Sequence, residues 1–214
     1  MNTRGSVLVV DDDAAARDSL RWLLESVGHE VVCYGSADEF LGGYSGEPGC
    51  LILDVRMPGM SGLELQREVQ QRDWRLPIIM VTGHGDVPMA VRAMRAGAMD
   101  FLQKPYNDQV LIERTEQALQ IARNAWDEWI QKKEIRARFE QLTRREREIA
   151  VMVGSGKANK QIAYELGLSC KTVEVYRANM MGKMAARSVV HLVQMLSRIE
   201  SEAAGHTLSQ CEFN

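Results

Sequence analysis

The chain of 214 residues contains no apolar run long enough to cross a bilayer. Met1–Ser6 lacks the basic segment and apolar core of a secretion signal, so the sequence reads as cytoplasmic, with no membrane partner. Cys33, Cys50, Cys170 and Cys211 show none of the paired spacings of a zinc site and read as free thiols in a reducing compartment. His29, His84, His191 and His206 share no ligand spacing and take no role. Internal repeats and low-complexity tracts are also missing, which leaves an ordinary globular chain of about two domains.

Charge is unevenly spread. Residues 1–125 hold 12 Lys/Arg against 18 Asp/Glu, whereas residues 140–199 hold 10 against 5. The second half is therefore the one suited to a polyanion.

The first half alternates short apolar runs (Val7–Val10, Val31–Tyr34, Leu51–Leu53, Ile78–Val81, Asp100–Leu102) with amphipathic helical stretches near Ala14–Val27, Ser36–Leu41, Gly62–Gln71 and Val87–Ala96. Ser36…Glu39 and Ser61…Glu64 have capping-box spacing. Nearly continuous apolar strands are expected where a parallel sheet is covered on both faces. Five β-α units in series predict a doubly wound five-stranded parallel α/β domain over residues 1–124. A fifth helix begins near Asn107, with no Gly or Pro from there through Arg138, predicting a helical linker over 125–139; Trp126 and Trp129 read as packing on a domain, with a dimer seam as the alternative. The second half reads as all-α. Thr143…Glu146 opens a helix to Val153, Asn159–Leu166 follows, Gly167-Leu168-Ser169 turns, then come Lys171–Met184 and Val189–Ile199. Residues 201–214 are polar and read as a disordered tail.

In a doubly wound sheet, chemistry gathers beyond the carboxyl ends of the strands. Those ends carry Asp11-Asp12-Asp13, Asp54, Thr82 and Gln103-Lys104-Pro105. Clustered carboxylates repel one another and call for a compensating cation. Oxygen ligands of this kind suit Mg²⁺. Together with a lysine and a hydroxyl, such a site meets the needs of a transferring phosphoryl group, one carboxylate serving as nucleophile.

The strings Val-Leu-Val-Val-Asp-Asp-Asp, Leu-Ile-Leu-Asp54-Val-Arg-Met-Pro-Gly-Met-Ser-Gly, Val-Thr82-Gly-His-Gly-Asp and Asp-Phe101-Leu-Gln-Lys104-Pro resemble the receiver family over nearly all of residues 5–124. The resemblance implies a flavodoxin-like fold with Asp54 as phosphoacceptor. It implies Mg²⁺ held by Asp11, Asp12, Asp54 and the Arg56 backbone carbonyl. Thr82 and Lys104 would contact the phosphoryl oxygens, Phe101 would be the switch aromatic, and Lys104-Pro105 would be a cis bond. Haloacid dehalogenase-type phosphohydrolases offer a rival. They also place Asp-x-Asp after a first strand, which Asp11-Asp12-Asp13 satisfies, but that reading leaves Asp54 and the Met-Pro-Gly loop unexplained.

On the helix after the second-half turn, Val173, Tyr176, Met180 and Met184 fall on one face and should pack on Ile149, Met152, Ile162 and Leu166. Lys171, Val175, Ala178 and Gly182 fall opposite, beside Glu174. Small residues in the middle of an exposed face let a helix approach base edges in the major groove. A helical bundle for protein contacts would share the periodicity. Leu142-Thr-Arg-Arg-Glu-Arg-Glu, Asn159-Lys-Gln-Ile-Ala and Ser169-Cys-Lys-Thr-Val-Glu-Val-Tyr-Arg-Ala-Asn resemble the LuxR-type helix-turn-helix over about residues 140–200. With the receiver, the whole chain is similar to the NarL/FixJ family of response regulators. That resemblance implies a transcription regulator rather than an enzyme, partnered by a sensor histidine kinase, double-stranded DNA, a second copy of itself and RNA polymerase. Glu174, Val175 and Ala178 would face bases, with Lys157, Lys160, Lys171, Arg177 and Lys183 as phosphate contacts. Coupling by receiver dimerisation and coupling by release of an inhibited DNA-binding half both remain open.

Overall fold

The computed structural model describes residues 5–208 other than His84, with side chains described as far as Ile199. Two compact units divide between Asp127 and Glu128.

The first unit holds five parallel strands: β1 (Ser6–Val10), β2 (Val31–Tyr34), β3 (Gly49–Asp54), β4 (Ile78–Thr82) and β5 (Asp100–Gln103). Their order is β2-β1-β3-β4-β5. Between them run α1 (Ala14–Ser26), α2 (Ala37–Gly43), α3 (Gly62–Gln71) and α4 (Val87–Arg95), and α5 (Asp108–Glu140) follows. The two-residue period of a strand sorts the apolar runs onto two faces. Leu8, Val10, Leu51, Leu53, Ile78 and Met80 are buried with Phe40, Leu65, Val69, Met89 and Ala93 of α2, α3 and α4. Val7, Val9, Cys50, Ile52, Ile79 and Val81 are buried with Leu20 and Leu24 of α1 and Leu111, Ala118 and Leu119 of α5. Each large aliphatic side chain so buried contributes about 1.5–3 kcal/mol.

Strand register positions the chemistry. Val10 pairs with Leu53, so Asp11 emerges beside Asp54. Asp54 pairs with Val81 and Thr82 with Gln103, which brings Thr82 and Lys104 to the same edge. The strand order turns back between β1 and β3, and the crevice there is where such sheets hold ligands.

Helix starts largely follow the expected signals. Asp13 caps α1, its carboxylate accepting from the Ala15 amide at 2.9 Å. Ser61 and Glu64 form the full reciprocal box at α3. At α2 the box is only half made: Ser36 accepts from the Glu39 amide, but the Glu39 carboxylate takes the Gly35 amide instead.

The second unit contains α6 (Arg144–Gly154), α7 (Asn159–Leu166), α8 (Cys170–Met184) and α9 (Val189–Leu208). Ile149, Ile162, Val173, Met180 and Met184 are buried in its core, with Met152, Leu166 and Tyr176 packed against them, as the periodicity predicts. Gly167 takes the left-handed conformation, φ 65°, at the turn between α7 and α8, where a side chain would be strained. Ile135 and Phe139 of α5 also join this core, so the segment expected as linker contributes packing residues to the second unit. Where the sequence suggests a disordered tail from residue 201, α9 continues to Leu208. Residues 209–214, including Cys211, lie outside the described part. Cys33, Cys50 and Cys170 are unpaired. Among the described residues no helix is long and apolar enough to cross a membrane.

Candidate functional site

Two buried carboxylates converge on one lysine at the strand ends. Lys104 Nζ donates to Asp11 Oδ2 at 2.7 Å and to Asp54 Oδ1 at 3.2 Å. Asp11 is 3 % exposed and Asp54 7 %. The other oxygen of each carboxylate is held by the local backbone. Asp11 Oδ1 accepts from the Asp13 amide at 2.9 Å and Asp54 Oδ2 from the Arg56 amide at 2.7 Å. Burial pushes the Asp54 carboxyl above its ordinary value, and the neighbouring Asp11 charge adds to the rise. The Arg56 amide and Lys104 oppose it. Burial works against the Lys104 charge, yet the two carboxylates outweigh it and raise its pKa. Asp54 is thus a buried, incompletely compensated carboxylate beside a firmly charged ammonium.

Thr82 is 1 % exposed at the end of β4, and Phe101 is half-buried on β5. Two glycines hold this geometry open, and neither stood out in the sequence. A Cβ on Gly62 would lie 2.1 Å from the Asp54 carbonyl oxygen, so α3 can start this close to the site only without a side chain. One on Gly85 would lie 3.0 Å from both the Phe101 ring and the Thr82 methyl. The Lys104-Pro105 peptide is cis.

The donor set fits Mg²⁺ better than a fully protein-built cage. Among the described residues, no three His, Cys, Asp or Glu side chains come together as a metal-holding group. Two convergent carboxylates and the exposed Asp12 alongside match an ion that keeps several waters and takes few carboxylates.

In the second unit, Lys171, Glu174, Val175, Ala178 and Gly182 of α8 are exposed, the face left free after Val173, Met180 and Met184 enter the core. Val175 is 56 % exposed, an apolar side chain offered to solvent at the middle of that face. Of the five expected phosphate contacts, Lys160 and Lys171 are exposed and have no side-chain partner among the described residues. The others have partners within the unit. Lys157 Nζ donates to Glu165 at 2.6 Å and Arg177 to Asn159 at 2.8 Å. Lys183 donates to Glu146 at 2.7 Å. Glu146, 3 % exposed, also accepts from the amide and hydroxyl of Thr143, completing the α6 capping box. The hydrogen bond from Lys183, then those from Thr143, hold its carboxyl below the ordinary range against the effect of burial. Each of these three cations is held by an acceptor on another element: Lys157, in the loop before α7, by Glu165 of that helix, Arg177 of α8 by Asn159 of α7, and Lys183 of α8 by Glu146 of α6.

Comparison with known proteins assigns each half of the chain to a family. The response regulator receiver domain family matches residues 7–116, and the luxR family of bacterial regulatory proteins matches residues 140–196. The transcriptional regulatory protein FixJ of Bradyrhizobium diazoefficiens is 44% identical over 199 residues, 92% of this chain and 97% of that protein. The response regulator protein TmoT of Ectopseudomonas mendocina is 43% identical, over 94% of this chain and 92% of its own length. Among solved structures, the response regulator StyR has a TM-score of 0.83 at 42% identity, covering 91% of this chain and 99% of that one.

Proposed function

The chain belongs to the two-component response regulators that join a receiver to a LuxR-type DNA-binding domain, and from that premise we propose that Asp54 accepts the phosphoryl group. As a member it is a transcription regulator rather than an enzyme, which removes the phosphohydrolase alternative. A receiver implies a sensor kinase partner, and a LuxR-type domain implies DNA binding.

The carrying observation is the convergence of Asp11 and Asp54 on Lys104 at the switch point of the sheet. A carboxylate oxygen of Asp54 attacks the phosphorus of a phosphohistidine on the kinase. The N–P bond breaks as the O–P bond forms, and the imidazole leaves. Asp11, Asp12, Asp54 and the Arg56 carbonyl would hold Mg²⁺, which when bound neutralises phosphoryl oxygens. Lys104 supplies the fixed positive charge of the site. The product adds about −1.5 to −2 charges, and Lys104 and the Thr82 hydroxyl turn to meet them. Phe101 then moves inward beside Gly85, changing the surface of α4 and β5, on which two receivers pair. Pairing brings two α8 helices to a two-part DNA site in the cytoplasm, where the protein meets RNA polymerase. At each half-site Glu174, Val175 and Ala178 face bases, while Lys160 and Lys171 hold phosphates. Lys157, Arg177 and Lys183 would reach phosphates only by leaving their present partners.

The test is treatment with acetyl phosphate and Mg²⁺, reductive trapping of the acyl phosphate, and mass spectrometry, with dimerisation read by light scattering. Modification is expected at Asp54 alone, and Asp54→Asn should neither be labelled nor dimerise. Label on Asp11, or phosphodonor-driven dimerisation of Asp54→Asn, would overturn the proposal.

A further inference from the structure

Arg17 lies in the first turn of α1, and its side chain reaches back over the sheet edge. Its Nη1 donates to the Asp11 backbone carbonyl at 2.7 Å. The residue is half-buried, and among the described residues no carboxylate forms an ion pair with it. The guanidinium passes beside Gly35, where an added Cβ would lie in ordinary contact at 3.7 Å from Nη1, so its placement does not depend on that glycine. With this bond every polar atom of Asp11 is engaged. Its amide donates to the Tyr34 carbonyl at 3.3 Å, its Oδ1 accepts from Asp13 at 2.9 Å, and its Oδ2 accepts from Lys104 at 2.7 Å. Asp12, the next residue, is exposed, and its carboxylate has no partner among the described residues.

We infer that Arg17 is a positioning residue for the divalent-cation site: by anchoring the Asp11 carbonyl it fixes the β1–α1 turn, so that Asp11 is preset while Asp12 is left to adapt to the ion. This rests on the reading of the Asp11, Asp12 and Asp54 group as a Mg²⁺ site. The sign of the effect separates positioning from simple electrostatics. A guanidinium acting only through its charge repels a divalent cation, so removing it would tighten binding. Acting through its hydrogen bond, it holds the ligands in place, and removing it loosens binding. Groups that orient metal ligands from behind typically alter affinity by about 10–100-fold.

The experiment is calorimetric titration of the full chain with MgCl₂, comparing wild type with Arg17→Met and Arg17→Gln and checking each fold by circular dichroism. Arg17→Met is expected to bind Mg²⁺ about tenfold more weakly. Arg17→Gln, which keeps an N–H donor without the charge, should recover most of that loss. Unchanged or tighter binding by Arg17→Met overturns the inference. Should Arg17→Met fail to fold, Arg17→Gln decides alone, since binding tighter than wild type would show the charge acting by repulsion. A wild-type chain that takes up no Mg²⁺ overturns the cation site itself, and this inference with it.

Discussion

Each unit buries at least one carboxylate beside a lysine, and Asp54 in one and Glu146 in the other are shifted in opposite directions. Asp54 shares Lys104 with a second carboxylate, Asp11, and burial raises its pKa. Glu146 has Lys183 to itself plus two donors from Thr143, and its pKa is lowered. A carboxylate beside a lysine is therefore the proposed phosphoacceptor in one unit and a structural fixture in the other. What differs is the weight of burial, which dominates at Asp54 but is outweighed at Glu146 by the Lys183 hydrogen bond, and the presence of Asp11 as a competing charge beside Lys104. Perturbed carboxylates mark functional sites only probabilistically, and the direction of the shift separates these two.

The comparison is tested most severely at Asp54. Asp54→Asn should remove all phosphoryl incorporation, measured by mass spectrometry, and yet raise the melting midpoint of the first unit by about 2–4 °C. The sign follows from linkage. A carboxyl whose folded pKa lies above its unfolded value favours the fold at low pH, and that contribution is lost as pH rises through the folded pKa. At neutral pH the ionised Asp54 is therefore a cost, and a lower midpoint for the Asn variant would break the comparison. Gly62→Ala comes next. With a carbonyl oxygen 2.1 Å from the added Cβ, the start of α3 must shift, at about 2–4 kcal/mol in a urea titration. An unchanged midpoint would mean the site tolerates displacement.

In the second unit, Lys183→Met should cost about 2 kcal/mol at neutral pH, because a buried carboxylate loses its charged donor. Here the linkage sign is reversed. Stability from Glu146 is present above its unfolded pKa and disappears as pH falls through the lowered folded value. The gap between wild type and Lys183→Met should accordingly close in acid, as denaturation at stepped pH would show; a gap independent of pH would sink the assignment. Thr143→Ala is the mildest change, at about 1 kcal/mol for a lost helix cap. A cost near zero would show that Lys183 alone satisfies Glu146.

Much of this was legible in the sequence wherever one element suffices to define the feature. The strand ends named Asp11, Asp54, Thr82 and Lys104, because a parallel sheet brings the carboxyl ends of its strands to one edge. The faces of α8 followed from a period of 3.6 residues. Contacts between elements that neither helix period nor the layout of a parallel sheet prescribes were not legible. Glu146 reads as half of a capping box, and nothing local announces Lys183, 37 residues away on another helix. Gly62 looks like an ordinary helix-start glycine until the Asp54 carbonyl is placed against it. Ile135, alone among charged neighbours, gives no periodic signal, yet it is buried in the second core. A fragment meant to test whether the DNA-binding half is inhibited within the whole chain should therefore begin near residue 128, not 140.

The ion pairs around α8 also bear on how DNA binding should respond to ionic strength. Each phosphate neutralised by a protein cation frees condensed counterions, and log affinity then falls against log salt with a slope of about −0.9 per phosphate. Lys157 and Lys183, already paired with Glu165 and Glu146, contribute little to that release, and Arg177, which keeps its full charge, must first leave the neutral Asn159. With Lys160 and Lys171 as the phosphate contacts ready on each half-site, the slope should be shallow for a basic domain. Recognition would then depend less on the ionic atmosphere and more on the small, uncharged centre of α8.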